Sequence, residues 1–189
     1  MVRLPRILFT LAALAAVLAS HHRASADSEP AAAAAAVPDE RARFSASFRF
    51  AGSASEQDAR RVAIDRGIDS LFFAIRGIAR SRLSDGTKID PWVAFSFDAD
   101  KLRVRVPSAT TVSPANGTAV DYVSGSDRTK LSQRLTAGKI TQVFDAGEGW
   151  RRNEWVLSPD ARTLALTVTV YSPKLTRAVV YKLTYERAQ

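Results

Sequence analysis
After Pro91 the chain alternates apolar and polar side chains with a period of two, and turn residues interrupt the alternation at short intervals to its end. Such alternation gives a strand one apolar and one polar face, and short breaks leave room only for hairpins, so this segment reads as an antiparallel sheet. Strands are expected near 92–98, 101–106, 118–123, 129–135, 139–145, 150–157, 162–171 and 177–186. The breaks between them are rich in Gly, Pro, Asp and Ser, as at Asp98-Ala99-Asp100, Ser113-Pro114-Ala115-Asn116-Gly117, Ala137-Gly138 and Ser158-Pro159-Asp160. Leu164, Leu166, Val168 and Val170 mark an apolar face, with Thr163, Thr167 and Thr169 opposite. An earlier strand, 43–50, sets Phe44, Ala46, Phe48 and Phe50 against Ser45, Ser47 and Arg49 and brings the total to about nine. The expected fold class is mainly β (α+β): an antiparallel meander that closes, or nearly closes, into a barrel because closure removes its edges.

Between the first strand and the rest lies a different period. Ile64, Ile68, Leu71, Phe72, Ala74, Ile75, Ile78 and Ala79 fall on one arc of a helical wheel, with Asp65, Arg66, Asp69, Arg76 and Arg80 opposite. One long helix, 55–82, is expected, opened by Ser55 with Asp58 and closed by Ser84-Asp85-Gly86. Gly67 and Gly77 each cost a helix about 1 kcal/mol relative to Ala, which suggests close approach of another backbone.

The N-terminus has the marks of export. Arg3 and Arg6 precede the apolar run Ile7 to Leu18, and Ala24-Ser25-Ala26 offers a cleavage site, so residues 1–26 read as a secretory signal peptide. The run is shorter than the roughly 20 residues that span a bilayer, and nothing like it follows. A periplasmic or extracellular protein without a transmembrane segment is expected after processing. Residues 27–42, rich in Ala and Pro, read as a low-complexity linker ahead of a single domain over 43–187. Asn116-Gly117-Thr118 has the form of a glycosylation sequon, but after Pro114 it makes a good turn, and the turn is the reading taken.

Processing would change the chemistry available. The full chain carries a net charge of +8, no Cys and two His, and removing residues 1–26 takes both histidines with Arg3, Arg6 and Arg23, which leaves +5. A chain with neither His nor Cys cannot build a His-based triad, a thiolate nucleophile or the usual zinc sites, so no enzyme, metal or cofactor is expected. Carboxylate pairs such as Asp98 with Asp100 and Asp65 with Asp69 fit turn and helix-surface roles. Trp150-Arg151-Arg152-Asn153-Glu154-Trp155 interleaves aromatics with cations, but the five-residue spacing puts the tryptophans on opposite faces, one of them in the core. Acidic residues are scattered among the basic ones, so no nucleic-acid partner is expected, while a basic chain is attracted to an anionic envelope surface.

A meander of this length with helix inserted after its first strand resembles the calycin barrels, particularly the fatty-acid-binding proteins, in architecture. The lipocalin Gly-x-Trp is absent, since the first strand reads Phe48-Arg49-Phe50-Ala51-Gly52-Ser53. In fatty-acid-binding proteins a basic residue and Tyr on the last strands hold a carboxylate, and the nearest counterparts are Arg177, Tyr181, Tyr185 and Arg187. The resemblance implies the shape, and two functions are open for an exported barrel: the first is a binding protein for a small apolar or amphipathic ligand, the sort that the mouths of small barrels admit, with Phe73, Arg76 and Arg80 at the rim and Arg177 or Tyr181 orienting a polar head. The other open function is a ligand-free structural or interaction module of the cell envelope, its barrel plugged by the apolar helix face.

Overall fold
The computed structural model describes residues 38–188 other than Ser126. The segment read as a signal peptide, 1–26, and most of the segment read as a linker, 27–42, lie outside the described residues. The elements are α1 (Pro38–Phe44), β1 (Ser47–Phe50), α2 (Ala54–Gly67), α3 (Phe73–Gly86), β2 (Trp92–Asp98), β3 (Lys101–Val106), β4 (Ala109–Pro114), β5 (Val120–Ser124), β6 (Asp127–Thr136), β7 (Lys139–Asp145), β8 (Trp150–Leu157), β9 (Thr163–Tyr171) and β10 (Val179–Arg187). All ten strands belong to one antiparallel sheet, ordered β4-β3-β2-β1-β10-β9-β8-β7-β6-β5. The short β1 pairs with both β2 and β10 and so joins the first and last parts of the chain.

The sheet curls into a nearly closed barrel, with β4 and β5 at its two ends. Below that seam the backbone crosses: Gly117 N–H donates to the Gln133 carbonyl and Leu135 N–H to the Ala115 carbonyl, each at 2.8 Å. Side chains continue the closure inside. Ser113 Oγ donates to Gln133 Oε1 (2.9 Å), Gln133 Nε2 and Gln142 Nε2 both donate to Thr111 Oγ1 (3.2 and 2.9 Å), and Asn153 Nδ2 donates to Gln142 Oε1 (2.8 Å). Thr111 and Ser113 of β4 are thereby bound to β6 and β7 across the open edge. Every one of these groups is buried, and each finds a partner, which is the condition for a polar network to hold a core together instead of weakening it.

The opposite side of the interior is apolar. Phe48, Phe95, Trp155 and Tyr185 form an edge-to-face cluster with centroids 5.3–6.1 Å apart, and Val93, Leu102, Leu164, Leu166, Val168 and Leu183 fill in around it. Of the two tryptophans five residues apart, Trp155 is in this core and Trp150 is on the outer wall, stacked on Tyr171 with Arg152 over its ring.

Four expectations need correction. The strands number ten, because Ala109–Pro114 forms β4. Its inward residues are Thr111 and Ser113 while Val112 faces outward, so the polarity of the alternation is reversed and the hydropathy pattern conceals the strand. Order begins at α1, not at Arg43: Phe44 is buried in the core and Glu40 Oε2 accepts the Gly138 N–H at 2.9 Å, which seals the barrel end away from α2 and α3. Arg187 belongs to the same end, lying over the Phe48 ring at 5.2 Å and donating to the Ala161 and Arg43 carbonyls.

The single helix 55–82 is two helices. A continuous helix would give the Gly67 carbonyl to the Leu71 N–H, but Thr176 N–H from the β9–β10 loop takes it at 3.1 Å and Leu71 N–H bonds to the Ile68 carbonyl instead. Gly67 is buried against β10 at a distance only glycine tolerates, since an added Cβ would stand 2.7 Å from Val179 Cγ2. The break cuts the apolar arc in two. Ile64 and Ile68 stay buried, whereas α3 buries no residue and leaves Phe72, Phe73, Ile75 and Ile78 exposed. The core is therefore filled from the walls with Phe44 of α1 and Ile64 of α2, while α3 adds only the half-buried Leu83 and is not a plug.

Candidate functional site
Successive strands reverse direction, so the end of the barrel that receives β1 and sends out β2 also carries the β3–β4, β5–β6, β7–β8 and β9–β10 connections. At that end the inward residues of β2, β9 and β10, Val93, Val170 and Val179, are buried, whereas Val106, Tyr122, Thr129, Phe144 and Arg151, in the inward phase of β3 and of β5 to β8, are half-buried. They form a mouth. Tyr122 and Phe144 meet edge to face at 5.6 Å, and Phe144 stands across the strand pair from Arg151. Beneath them lies the amide floor of Gln142 and Asn153.

Arg151 joins the mouth to the helices. Its Nε donates to Asn153 Oδ1 (3.0 Å) and its Nη1 to the Gly86 carbonyl (2.8 Å). Arg60 of α2 donates from Nε to the Thr87 carbonyl (2.7 Å) and from Nη2 to the Ser84 carbonyl (2.6 Å), and Tyr181 Oη donates to Thr87 O at 3.3 Å. The last carbonyls of a helix have no partner within it and carry the negative end of its dipole, so two guanidiniums are well matched to them. Asp90 follows, its carbonyl accepting the Tyr185 hydroxyl at 3.1 Å. Burial raises the Asp90 carboxyl above its ordinary value, against the opposing charges of Arg151 and Lys88 and a hydrogen bond with Ser108. Burial likewise raises the Tyr181 and Tyr185 hydroxyls, which stay protonated as donors.

The five residues singled out in the sequence fall into three places. Phe73 is exposed at the start of α3. Arg76, Arg80 and Arg177 gather on the outside of the helical pair: Arg76 donates to the Leu71 and Asp69 carbonyls, Arg80 pairs with Asp65 at 2.8 Å, and Arg177 approaches Asp69 at 3.9 Å. Tyr181 is inside the barrel, under Thr87. Sequence reasoning missed Arg151, Gln133, Gln142, Asn153 and Asp90. A signal was present for the amides, since Gln133 lies in phase with Leu131 and Leu135, and Asn153 with Trp155 and Leu157. Among the described residues no cluster of three or more His, Cys, Asp or Glu is placed to hold a metal ion, and no helix is long and apolar enough to cross a membrane.

Ten antiparallel strands, a pair of helices between the first two, and a seam between the fourth and fifth decide the architecture. The fold is that of the calycin barrels. A Schistosoma mansoni fatty acid binding protein in complex with arachidonic acid superposes with a TM-score of 0.50 at 16% identity, covering 79% of this chain and 99% of that one. A secretory abundant heat soluble protein from Ramazzottius varieornatus gives 0.52 at 10% identity, covering 77% and 96%. The apo form of Caenorhabditis elegans lipid binding protein 8 gives 0.50 at 10%, covering 78% and 96%. No family model and no curated protein matches the sequence.

Proposed function
We propose that this calycin-fold chain is an exported, non-enzymatic binding protein for a small apolar or amphipathic molecule, taken at the helical end of the barrel. The observation that carries the reading is the uneven burial around that end: Val106, Tyr122 and Phe144 stand half-buried, whereas Val93, Val170 and Val179 are buried, and Phe144 lies above the Gln142 and Asn153 amides. An apolar wall with a few convergent polar groups is the usual form of a small-molecule site. Arg151, Asn153 and Tyr181 supply the polar end. That two of the similar structures are lipid-binding proteins by name supports the ligand class. Export rests on Arg3, Arg6, the run Ile7 to Leu18 and Ala24-Ser25-Ala26.

A packed interior favours a second reading, the ligand-free envelope module, in which the walls leave the mouth as a shallow surface feature. Native mass spectrometry of protein purified from its own source, with titration of an apolar fluorophore, separates the two. A co-purified amphiphile, and fluorophore binding weakened at least tenfold in Phe144→Ala, is expected for the binding protein. A clean apo mass with no fluorophore binding would overturn it in favour of the module.

A further inference from the structure
On the outside of the barrel, cations and acids are matched across strands on one wall and left unmatched on another. Lys130 of β6 pairs with Asp121 opposite it on β5 at 2.7 Å, and Glu154 of β8 stands 3.9 Å from Lys139 and 3.8 Å from Arg152. Opposite charges on facing strands stabilise a sheet, and like charges side by side destabilise it. β3 departs from that arrangement. Arg103 and Arg105 project outward from alternate positions, about 7 Å apart along the strand. They lie opposite Ser96 and Ala94 of β2 on one side and Val112 and Thr110 of β4 on the other, with no acid at any of the four positions. Arg49 of β1 is exposed on the same wall, two strands away. Among the described residues none of these three guanidiniums is within 4 Å of a carboxylate. The wall also carries Glu186, opposite Arg49 on β10, and Asp98, opposite Lys101 at the end of β2.

The remaining tryptophan belongs to this wall. Trp92 opens β2 opposite Arg49 and is half-buried on the outer face, in phase with Ala94 and Ser96. Trp150 is stacked on Tyr171 and Trp155 is packed in the core, whereas among the described residues no other ring and no cation stacks on Trp92. Ala94 and Ser96 are short, so β2 is the floor of a shallow trough with guanidiniums on both sides. On its other side Arg49 borders a groove with Phe50, Ala51, Glu186, Arg187 and Ala188.

We propose that this wall binds a linear acidic polysaccharide, with a sugar ring against Trp92 and the acid groups taken by Arg49, Arg103 and Arg105. Guanidinium forks match carboxylates, and an aromatic ring open to solvent matches the apolar face of a sugar. The charges on β1 and β3 stand about 10 Å apart, two strand spacings, which suits a polymer with repeated charges and not a single small anion. A bilayer would need apolar groups to insert, and of the exposed large apolar side chains only Val112 is on β1 to β4. The site is outside the barrel and uses none of the mouth residues, so it stands independently of any ligand there.

The test uses the full chain and fluorescently labelled polygalacturonate, followed by fluorescence polarisation at low salt. The wild type is expected to bind this polymer, to bind its methyl ester at least tenfold more weakly, and to lose affinity as sodium chloride screens the charges. Arg103→Glu with Arg105→Glu is expected to weaken binding at least tenfold, while the thermal midpoint and the response to the apolar fluorophore stay those of the wild type. Arg66→Glu with Arg128→Glu makes the same change of charge elsewhere on the surface and is expected to leave affinity within about twofold. Trp92→Ala is expected to weaken binding of polygalacturonate but not of inorganic polyphosphate, which has no ring to stack. Equal losses in the two double variants would reduce the effect to net charge and overturn the proposal. So would no binding by the wild type, indifference of both polymers to Trp92→Ala, or binding to phosphatidylglycerol vesicles without binding to polygalacturonate.

Discussion
Individual residues carry this architecture where two elements meet too closely for any alternative. Gly67 is the clearest case: a Cβ there would stand 2.7 Å from Val179 Cγ2, and Val179 is itself fully buried and β-branched, with nowhere to move. Overpacking costs about 1–3 kcal/mol and outweighs the roughly 1 kcal/mol of helix propensity that Ala brings. Gly67→Ala is expected to destabilise the protein by about 1 kcal/mol in urea denaturation, and a stabilised variant would contradict the close approach. Asp90 carries a prediction in pH. Its folded pKa stands above the ordinary 3.8 because burial disfavours the carboxylate. The contribution of the protonated group is therefore fully present below 3.8 and lost as pH rises through the folded value. Asp90→Asn, neutral throughout, is expected to melt above the wild type at pH 7, with the difference vanishing below about pH 4. Equal melting at pH 7 would show that Arg151 and Lys88 compensate burial in full. Gly67 was legible in the sequence as a suspected close approach; Asp90 was not, because its burial depends on the packing of loop against barrel.

At the scale of elements, tertiary contacts take apart what periodicity joins. The wheel over 55–82 is sound helix by helix, yet the N–H of Thr176 removes one carbonyl from the run and the arc splits. α2 is then fixed to β10, with Glu56 accepting from the backbone N–H and the hydroxyl of Thr184 at 2.9 and 2.7 Å. α3 packs against α2 and is fastened at its C-terminus by Arg60, Arg151 and Tyr181. Hydrogen bonds from a charged group contribute about 1.5–3 kcal/mol, and Arg60 makes bonds to two of these carbonyls. Arg60→Ala is expected to raise amide exchange in α3 at least tenfold while exchange in β8, β9 and β10 stays slow. Uniform acceleration in all four elements would mean that Arg60 supports the whole domain and not one helix. The strands tell the opposite story from the helix: β2, β3, β7 and β8 match the sequence reading residue for residue, because hairpin register follows from local alternation and turn chemistry.

For the molecule as a whole, the amide network decides whether the sheet closes. Strand pairing stops at β4 on one side and β5 on the other; beyond β4, among the described residues, only the Ala115 and Gly117 backbone bonds to β6 cross the seam, and Thr111, Ser113, Gln133, Gln142 and Asn153 link β4 to β6, β7 and β8 through the interior. Removing one member strands its neighbours' polar groups in a buried site, at about 1–3 kcal/mol for each group left unpaired. Gln142→Leu, close in volume, is expected to destabilise the protein by at least about 2 kcal/mol, since both Asn153 Nδ2 and Thr111 Oγ1 lose a partner. A neutral effect in denaturation would show that the apolar side of the interior carries closure alone. With most pairings between neighbours in sequence but β1 joined to β10, folding is expected on the slow, millisecond-to-second side for a domain of this size. Stopped-flow refolding would check it.

The sequence alone determined the antiparallel meander, the position of the helical insertion, the tendency to close and the placement of Trp150 and Trp155 on opposite faces. All of these follow from side-chain period and turn residues, which act over a few positions. Only the tertiary structure decided the inner polarity of β4, the break between α2 and α3, and the assembly of Arg60, Arg151, Asp90 and Tyr181 around one helix end. Those features depend on which polar group wins a partner from a distant part of the chain. A buried hydrogen bond is too costly to leave unmade, so it overrides local periodicity wherever the two conflict.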